Sequence, residues 1–328
     1  MPAHDPGTHA TNNLSSKKRS IAIEINDMAH NLHDKFILMK LNLLPLLLFL
    51  SSSVMAQEPD SSSALFKMRE AEQNFAKASV MYGRNAAFVE NFAEESILFT
   101  DKWISSGKQF SKDRKAAPVV LKWEPEYMDI ADSRDFGISS GPWEVGEYRP
   151  GTPPLFTGYF LTVWKKQADG AWKVILDGGG TTPGIKDPKH KFSFPSGADK
   201  PVPNPPLINV ELSCKELLDR DKQILEEWER SPLPSTYTEF LSPNVRIQLS
   251  GHLPTTNADT INSLIAHFDK NLTWKSSGSG AATSGDMGFT YGLLEIPGKP
   301  EVIKGHYVRI WKKQPVADWK IVLEMMNF

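Results

Sequence analysis

Residues 158–177 read GYFLTVWKKQADGAWKVILD, and residues 305–324 read GHYVRIWKKQPVADWKIVLE. In each stretch a glycine begins the run, two tryptophans stand eight residues apart, and an acidic residue, Asp177 or Glu324, ends it. Further upstream, an Asp-x-Gly-x-x-x-Gly pattern that begins at Asp135 is matched by one that begins at Asp286. Chance agreement at so many spaced positions is very improbable, and the match indicates a tandem duplication of one domain.

Each copy begins with a pattern typical of helices. Apolar residues recur at helical spacing over 64–82 and over 213–229, so each segment has one apolar face. Ser213 is expected to cap the second helix, with Glu216 three residues later as its capping-box partner. A shorter helix and a short strand are predicted next in each copy, at 85–92 and 97–99 in the first and at 237–241 and 245–249 in the second.

The repeated stretches themselves predict β-hairpins. Strands rich in β-branched and aromatic residues cover 158–164 and 172–176, and Asp169-Gly170 between them is a hairpin turn signal. Pro315 lies in the corresponding turn of the second copy, where proline is tolerated. Each unit is therefore expected to contain two helices followed by three to five antiparallel strands, an α+β domain with its helices on one face of a sheet.

A proline-rich stretch separates the two copies. Residues 183–210 contain seven prolines and no periodic apolar pattern, which predicts a semi-extended linker between a first domain at 64–182 and a second domain at 211–328. The glycines at 178–180 are interpreted as leading into this linker. Because no helix is predicted after them, they do not indicate a phosphate-binding loop.

The N-terminal part of the sequence has the pattern of a secretory signal peptide. From Met39 onward, one lysine precedes a run of apolar residues too short to span a bilayer, and small residues precede Gln57. We expect residues 39–56 to be a signal peptide cleaved after Ala56, and residues 1–38 to be an over-extended, disordered N-terminus. An uncleaved N-terminal anchor is the alternative. The mature protein is then expected to be secreted or periplasmic, with no stable membrane span.

Composition excludes one class of partner. The 328 residues carry a formal net charge of -2, with 23% charged and 40% hydrophobic residues. Nucleic acid is not expected as a partner, because binding phosphates needs a basic surface. The single cysteine, Cys214, cannot form an intramolecular disulfide and is interpreted as a small packed hydrophobic residue.

The first copy resembles the SnoaL-like branch of the nuclear transport factor 2-like superfamily, and within it the domain of unknown function numbered 4440. Four features carry the resemblance: the helical beginning, the Asp-x-Gly-x-x-x-Gly pattern, the Gly-Tyr-x-x-x-x-Trp-Lys-Lys-Gln motif and the Trp-Lys-Val-Ile-x-Asp ending. The resemblance covers 64–182 and is looser over 211–327, where His306 replaces Tyr159. It implies a cystatin-like cone, in which a strongly curved antiparallel sheet wraps a long helix and leaves a pocket. The relatives include isomerase-like enzymes, polyketide cyclases, dehydratases and non-catalytic binding domains, so the resemblance indicates fold more than chemistry.

Carboxylates are the candidate pocket groups of the first copy. Asp101 follows the predicted strand and precedes Trp103, so the two could serve as a general base or ligand anchor beside an apolar wall; a solvated turn is the alternative. Asp177 and Glu324 end the last strand of each copy and are candidate carboxylates at a pocket mouth, with a purely structural role as the alternative. Asp135 and its counterpart Asp286 are interpreted as turn formers.

Histidines are the candidates of the second copy. His252 corresponds to the region of Asp101, and His306 corresponds to Tyr159, itself a candidate pocket residue. Imidazole titrates near neutral pH and could act as acid or base. The two histidines lack the close spacing of metal ligands, so we predict no metal site, and no cofactor is indicated. The tryptophans are predicted to be mainly core residues, with one or more in a pocket wall.

Two functions follow from these patterns. The first is an exported binding module for a small apolar or mixed-polarity ligand or for a protein partner. The alternative is an isomerase, cyclase or dehydratase in which Asp101 or His252 transfers a proton in a water-poor pocket. Because Asp101 and His252 differ at matching positions, binding without catalysis is favoured. The resemblance also implies sheet-to-sheet pairing, either as an internal pseudo-dimer of the two copies or as a homodimer, with one copy serving as a structural partner.

Overall fold

The computed structural model describes residues 59–99, 103–104, 106–147, 151–185, 191–298, 301–314 and 318–328. The predicted signal peptide, the preceding residues 1–38 and Asp101 lie outside the described residues, and of Trp103 only the backbone is described. Residues from Ala56 to Phe328 form one compact unit that contains both copies. Among the described residues, no helix is both long enough and apolar enough to cross a membrane.

The two copies repeat one order of elements. The first copy contains α1 (Ala64–Tyr82), α2 (Arg84–Asn91), β1 (Phe92–Phe99), β2 (Trp103–Ile104), α3 (Gly107–Asp113), β3 (Val120–Trp123), β4 (Tyr127–Ile130), β5 (Phe136–Gly146), β6 (Phe156–Lys166) and β7 (Trp172–Thr181). The second copy contains α4 (Val210–Arg230), α5 (Pro234–Thr238), β8 (Leu241–Leu249), α6 (Ala258–Ala266), β9 (Thr273–Ala281), β10 (Met287–Ile296), β11 (Ile303–Lys313) and β12 (Trp319–Asn327). The α+β class predicted from the repeat and the two tandem cones implied by the family resemblance are confirmed.

The sheets are mixed rather than purely antiparallel. Their strand orders are β2-β1-β7-β6-β5-β3, with β4 also paired to β5, and β8-β12-β11-β10-β9. The hairpin β6–β7 and its counterpart β11–β12 are antiparallel as predicted, whereas β1 runs parallel to β7 and β8 runs parallel to β12. A tight turn forces an antiparallel pair, but β1 and β7 are joined through the rest of the domain, so no turn sets their direction.

Each long helix buries an acidic residue in the middle of its apolar face. In α1 the buried positions are Leu65, Met68, Glu72, Phe75 and Ser79, and in α4 they are Ser213, Leu217, Asp221, Ile224 and Trp228. The spacing of three and four residues places each set on one side of its helix. Both helices therefore bring a carboxylate into the interior of their cone.

The predicted cap of the second long helix is wrong. Asn209 caps α4, and its side chain accepts hydrogen bonds from the backbone N–H groups of Glu211 and Leu212. Ser213 lies inside the helix and is fully buried. The helix begins three residues earlier than the apolar pattern suggested, because Asn209 satisfies its free N–H groups there.

The glycine run at 178–180 belongs to β7, which corrects its interpretation as part of the linker. A side chain at Gly180 would come within 2.4 Å of Asn327 Oδ1, and one at Gly179 would come within 2.8 Å of Trp143 Nε1. Glycine is needed here because neighbouring groups approach the strand closely. In the following stretch, buried Phe192 packs into the core of the first cone, and the backbone N–H of Met128 donates to Ser193 O at 3.1 Å.

The two sheets share an apolar cluster. It contains Phe136, Ile138, Leu161, Val163 and Leu176 from the first copy and Met287, Phe289, Val308, Ile310 and Leu323 from the second. Polar contacts join the copies as well: Lys312 Nζ lies 2.8 Å from both carboxylate oxygens of Asp129. The sheet faces that point away from the long helices therefore pack against each other.

Candidate functional site

The first cone contains a half-open cavity of about 460 Å³. Aromatic side chains form much of its wall, namely Phe75, Phe88, Phe99, Trp123, Trp143 and Phe160. Its polar groups include Asp177, Thr162, Arg84 and Arg114, and the second copy contributes residues that include Lys304, His306, Asn327 and Phe328. Its wall thus combines apolar and polar surface, and its volume lies in the range of small-molecule sites.

Asp177 is the carboxylate of this cavity. It lies on β7 directly opposite Thr162 of β6, and the Thr162 hydroxyl donates to Asp177 Oδ1 at 2.5 Å. Burial raises the pKa of the Asp177 carboxyl to about 7, the Thr162 hydroxyl opposes this effect, and the nearby Glu72 carboxyl raises the pKa further. Within the described residues, no basic side chain pairs with Asp177. The group can therefore both give and take a proton near neutral pH.

A second carboxylate, Glu72 of α1, is fully buried beside the cavity. The indole N–H groups of Trp123 and Trp164 donate to it at 2.6 and 2.9 Å, and the Ser139 hydroxyl also donates to it. Burial raises the pKa of Glu72, whereas these three hydrogen bonds lower it. The indoles of Trp123 and Trp164 are thus tied to the long helix, which fixes their orientation.

The interior of the second cone holds a buried arginine. Arg309 is 0% exposed, with its Nη1 2.7 Å from Asp221 Oδ1 and its Nε 2.6 Å from Glu324 Oε1. The Tyr237 hydroxyl donates to Glu324 at 2.6 Å and accepts from Arg309 Nη2 at 2.9 Å. The Tyr307 hydroxyl donates to Asp221 at 2.5 Å. Aromatic rings of Tyr237, Trp274 and Tyr307 lie within 6 Å of the guanidinium.

Arg309 occupies the position that Thr162 occupies in the first copy. Arg309 stands opposite Glu324 in the β11–β12 ladder, as Thr162 stands opposite Asp177 in the β6–β7 ladder. In the second cone the long side chain fills the interior and neutralises two carboxylates. In the first cone a short side chain leaves the equivalent space open, and no cation pairs with Asp177 in the part of the chain that the structure describes.

The second copy closes one side of the cavity. The His306 ring stacks on Phe99 with ring centroids 4.8 Å apart. Asn327 Nδ2 lies 2.9 Å from Gly179 O and 2.9 Å from His306 Nε2. The end of β12 is thereby held against the glycine run of β7. The cavity wall thus depends on contacts between the two copies.

The structure brings only some of the predicted site residues together. Asp177 and His306 both line the cavity. Tyr159 is 3% exposed on β6, and Glu324 lies in the second cone bound to Arg309, so neither lines it. His252 is exposed after β8, with its Nδ1 3.3 Å from Ser250 O, and it is also outside the lining set.

Sequence reasoning missed the other polar groups in and beside the cavity. Thr162, Arg84, Arg114 and Glu72 were not among the candidates. A signal for Glu72 was present, because a lone carboxylate in the middle of an apolar helical stripe is costly unless it has partners. Among the described residues, no group of three or more His, Cys, Asp or Glu side chains is placed to hold a metal ion.

No family model matches the sequence, and no curated protein matches it. Solved structures are similar to parts of the chain. One is an NTF2-like protein of unknown function from Shewanella oneidensis, with 13% identity, 34% of this chain and 98% of that chain covered, and a TM-score of 0.29. Another is a ketosteroid isomerase-like protein from Erwinia carotovora atroseptica, with 13% identity, 34% and 93% covered, and a TM-score of 0.29. A third is an NTF2-like superfamily protein from Salmonella enterica, with 13% identity, 40% and 98% covered, and a TM-score of 0.31.

Proposed function

We propose that this protein binds one small molecule of mixed polarity, and that it does so in the first cone. The asymmetry between Thr162 and Arg309 carries the proposal, because it leaves one cone open and fills the other. Aromatic walls would hold the apolar part of the ligand, and Asp177 would bind a polar group of it. The second cone serves as a structural partner, the two copies forming an internal pseudo-dimer.

A second candidate function is proton transfer, and the state of Asp177 favours it. A carboxyl with a pKa of about 7 in a cavity walled by aromatic rings has the property that a general acid or base needs. The reaction class would be isomerisation, cyclisation or dehydration, consistent with the resemblance of the repeat motifs to the SnoaL-like branch. Asp177, rather than Asp101 or His252, is the proposed acid or base in this case.

A cavity-filling variant tests ligand binding. A thermal-shift screen of lipids, steroids and aromatic compounds is expected to yield ligands that raise the melting temperature of the wild-type protein, because a ligand of the folded state stabilises it. Thr162→Arg places an arginine beside Asp177, as Arg309 lies beside Glu324, and should abolish that shift. Thr273→Arg introduces the same change on an edge strand of the second cone and should preserve it. Equal shifts in both variants would contradict a site in the first cone.

We also propose that the protein is exported, on the strength of the signal-peptide pattern at 39–56. Expression of the full sequence in a bacterial host with a secretion pathway should yield a periplasmic or secreted product that begins at Gln57. N-terminal sequencing of the product checks this. A product that retains residues 39–56 and sediments with membranes would instead identify the segment as an uncleaved anchor.

A further inference from the structure

Two arginines lie together at the wall of the first cavity. Arg84 begins α2 directly after Gly83, whose φ of 85° and ψ of 153° suit glycine and turn the chain sharply out of α1. Arg114 follows the end of α3. The Asn85 side chain donates to the backbone carbonyl of Arg114 at 2.5 Å, which ties the two segments to each other. This hydrogen bond joins the chain segments that carry the two arginines.

The two guanidinium groups are close enough to repel each other. Burial, together with the positive charge of Arg114, lowers the pKa of Arg84 to about 10. Within the described part of the chain, neither side chain forms a salt bridge with a carboxylate; Arg114 instead contacts the ring of Phe110, with 5.6 Å to its centroid. Two cations that face one cavity, neither of them ion-paired among the described residues, favour an anion between them, because Arg binds planar anions through two parallel hydrogen bonds.

The rest of the cavity restricts what that anion can be. Aromatic rings such as Phe88 and Trp123 form part of its wall, and a ligand with an apolar body can pack on them. Asp177 is the carboxylate of the same wall and would repel a second negative charge once it is ionised. A ligand with one anionic group at one end and an apolar body at the other suits the arginine pair, the aromatic rings and Asp177 together.

We propose that Arg84 and Arg114 bind the carboxylate of an amphipathic organic acid whose apolar body occupies the aromatic part of the first cavity. The proposal rests on the proposed ligand-binding function and names the chemical class of that ligand. Arg84, at the helix start after Gly83, supplies the better-buried guanidinium. Arg114, which is exposed, supplies the outer one. A polyanion such as a nucleotide is disfavoured, because an ionised Asp177 in the same cavity would repel its additional charges.

A matched pair of probes tests the proposal on the purified protein. Naphthalene-2-acetate and its neutral analogue naphthalene-2-acetamide share an apolar body and differ in charge. Calorimetric titration below the pKa of Asp177 should show the acid binding about tenfold more tightly than the amide, a difference of about 1.4 kcal/mol. Arg84→Gln and Arg114→Gln together should bring the two affinities within about twofold by removing the charge-assisted bonds. Compared with Arg84→Gln, Arg84→Lys should restore part of the preference for the acid over the amide.

The controls separate this proposal from the one on which it rests. Arg230→Gln removes an exposed arginine that pairs with Glu227 in the second copy, and it should keep the full preference for the acid. Equal affinity of wild-type protein for both probes would overturn the anion site and leave the ligand pocket standing. Failure of both probes to bind wild-type protein would overturn the pocket and the anion site together. If Arg84→Gln lowers stability, Arg114→Gln alone must still reduce the preference, and an unchanged preference contradicts the proposal.

Discussion

Replacing Arg309 by methionine is expected to destabilise the folded protein by about 3–5 kcal/mol, the usual cost of leaving buried charges without their partner. The substitution keeps much of the side-chain volume, so the loss comes from the charge and its hydrogen bonds. Asp221 and Glu324, both at most 1% exposed, would lose the guanidinium that neutralises them. Urea denaturation followed by tryptophan fluorescence measures the change.

The control for this prediction is an ion pair on the surface. Lys222 Nζ lies 2.9 Å from Glu226 with both side chains largely exposed, so Lys222→Met should change stability by less than about 1 kcal/mol. A triple variant that combines Arg309→Met with Asp221→Asn and Glu324→Gln should recover much of the loss, because it removes the unpaired charges. An Arg309→Met protein as stable as wild type would show that the arginine does not hold the second cone together.

The repeat was sufficient to predict two tandem α+β units, whereas their cone shape was implied by the family resemblance and the parallel strand pairs were not predicted. Two tryptophans, a hairpin turn and an apolar helical stripe fix which faces are buried, and they recur in both copies. The repeat alone could not predict the site. The difference between Thr162 and Arg309 is visible in the aligned motifs, but the direction of their side chains is not. Only the strand ladders place both residues opposite the acidic group that ends each motif.

Two further features were beyond prediction because they depend on distant contacts. The proline-rich stretch shows no periodicity, yet Phe192 packs into the first core and the Arg69 guanidinium lies 4.0 Å from its ring centroid. The glycines of β7 are explained by Trp143 and Asn327, which are distant in sequence. Packing of this kind is set by tertiary neighbours and leaves no local pattern.

Replacing Asp177 by asparagine is expected to stabilise the protein at alkaline pH by about 2 kcal/mol. The folded chain holds the Asp177 proton up to a pKa of about 7, whereas an unfolded chain releases it near the ordinary value of 3.8. Between these two pKa values the folded state binds more protons than the unfolded state, so wild-type stability falls as the pH rises. The loss of stability is complete above pH 7, where Asp177 is ionised in both states. Each pH unit of this interval changes the free energy of unfolding by up to about 1.4 kcal/mol. The change is smaller here because Asp177 borders a cavity. Asparagine keeps the oxygen that accepts from Thr162 and also removes the repulsion on Glu72.

The equivalent substitution in the second copy should have the opposite sign, and that contrast makes the prediction specific. Glu324 occupies the position of Asp177 but is bound by Arg309 and Tyr237, so Glu324→Gln removes one charge of a buried ion pair and should destabilise the protein. Urea denaturation at a series of pH values compares both variants with wild type. The gain from Asp177→Asn should vanish below the unfolded-state pKa, where the carboxyl is protonated in both states. A loss like that of Glu324→Gln would mean that Asp177 is a partnered structural carboxylate and not the open acidic group of a ligand site. A gain independent of pH would mean that the raised pKa of Asp177 is not the source of the effect.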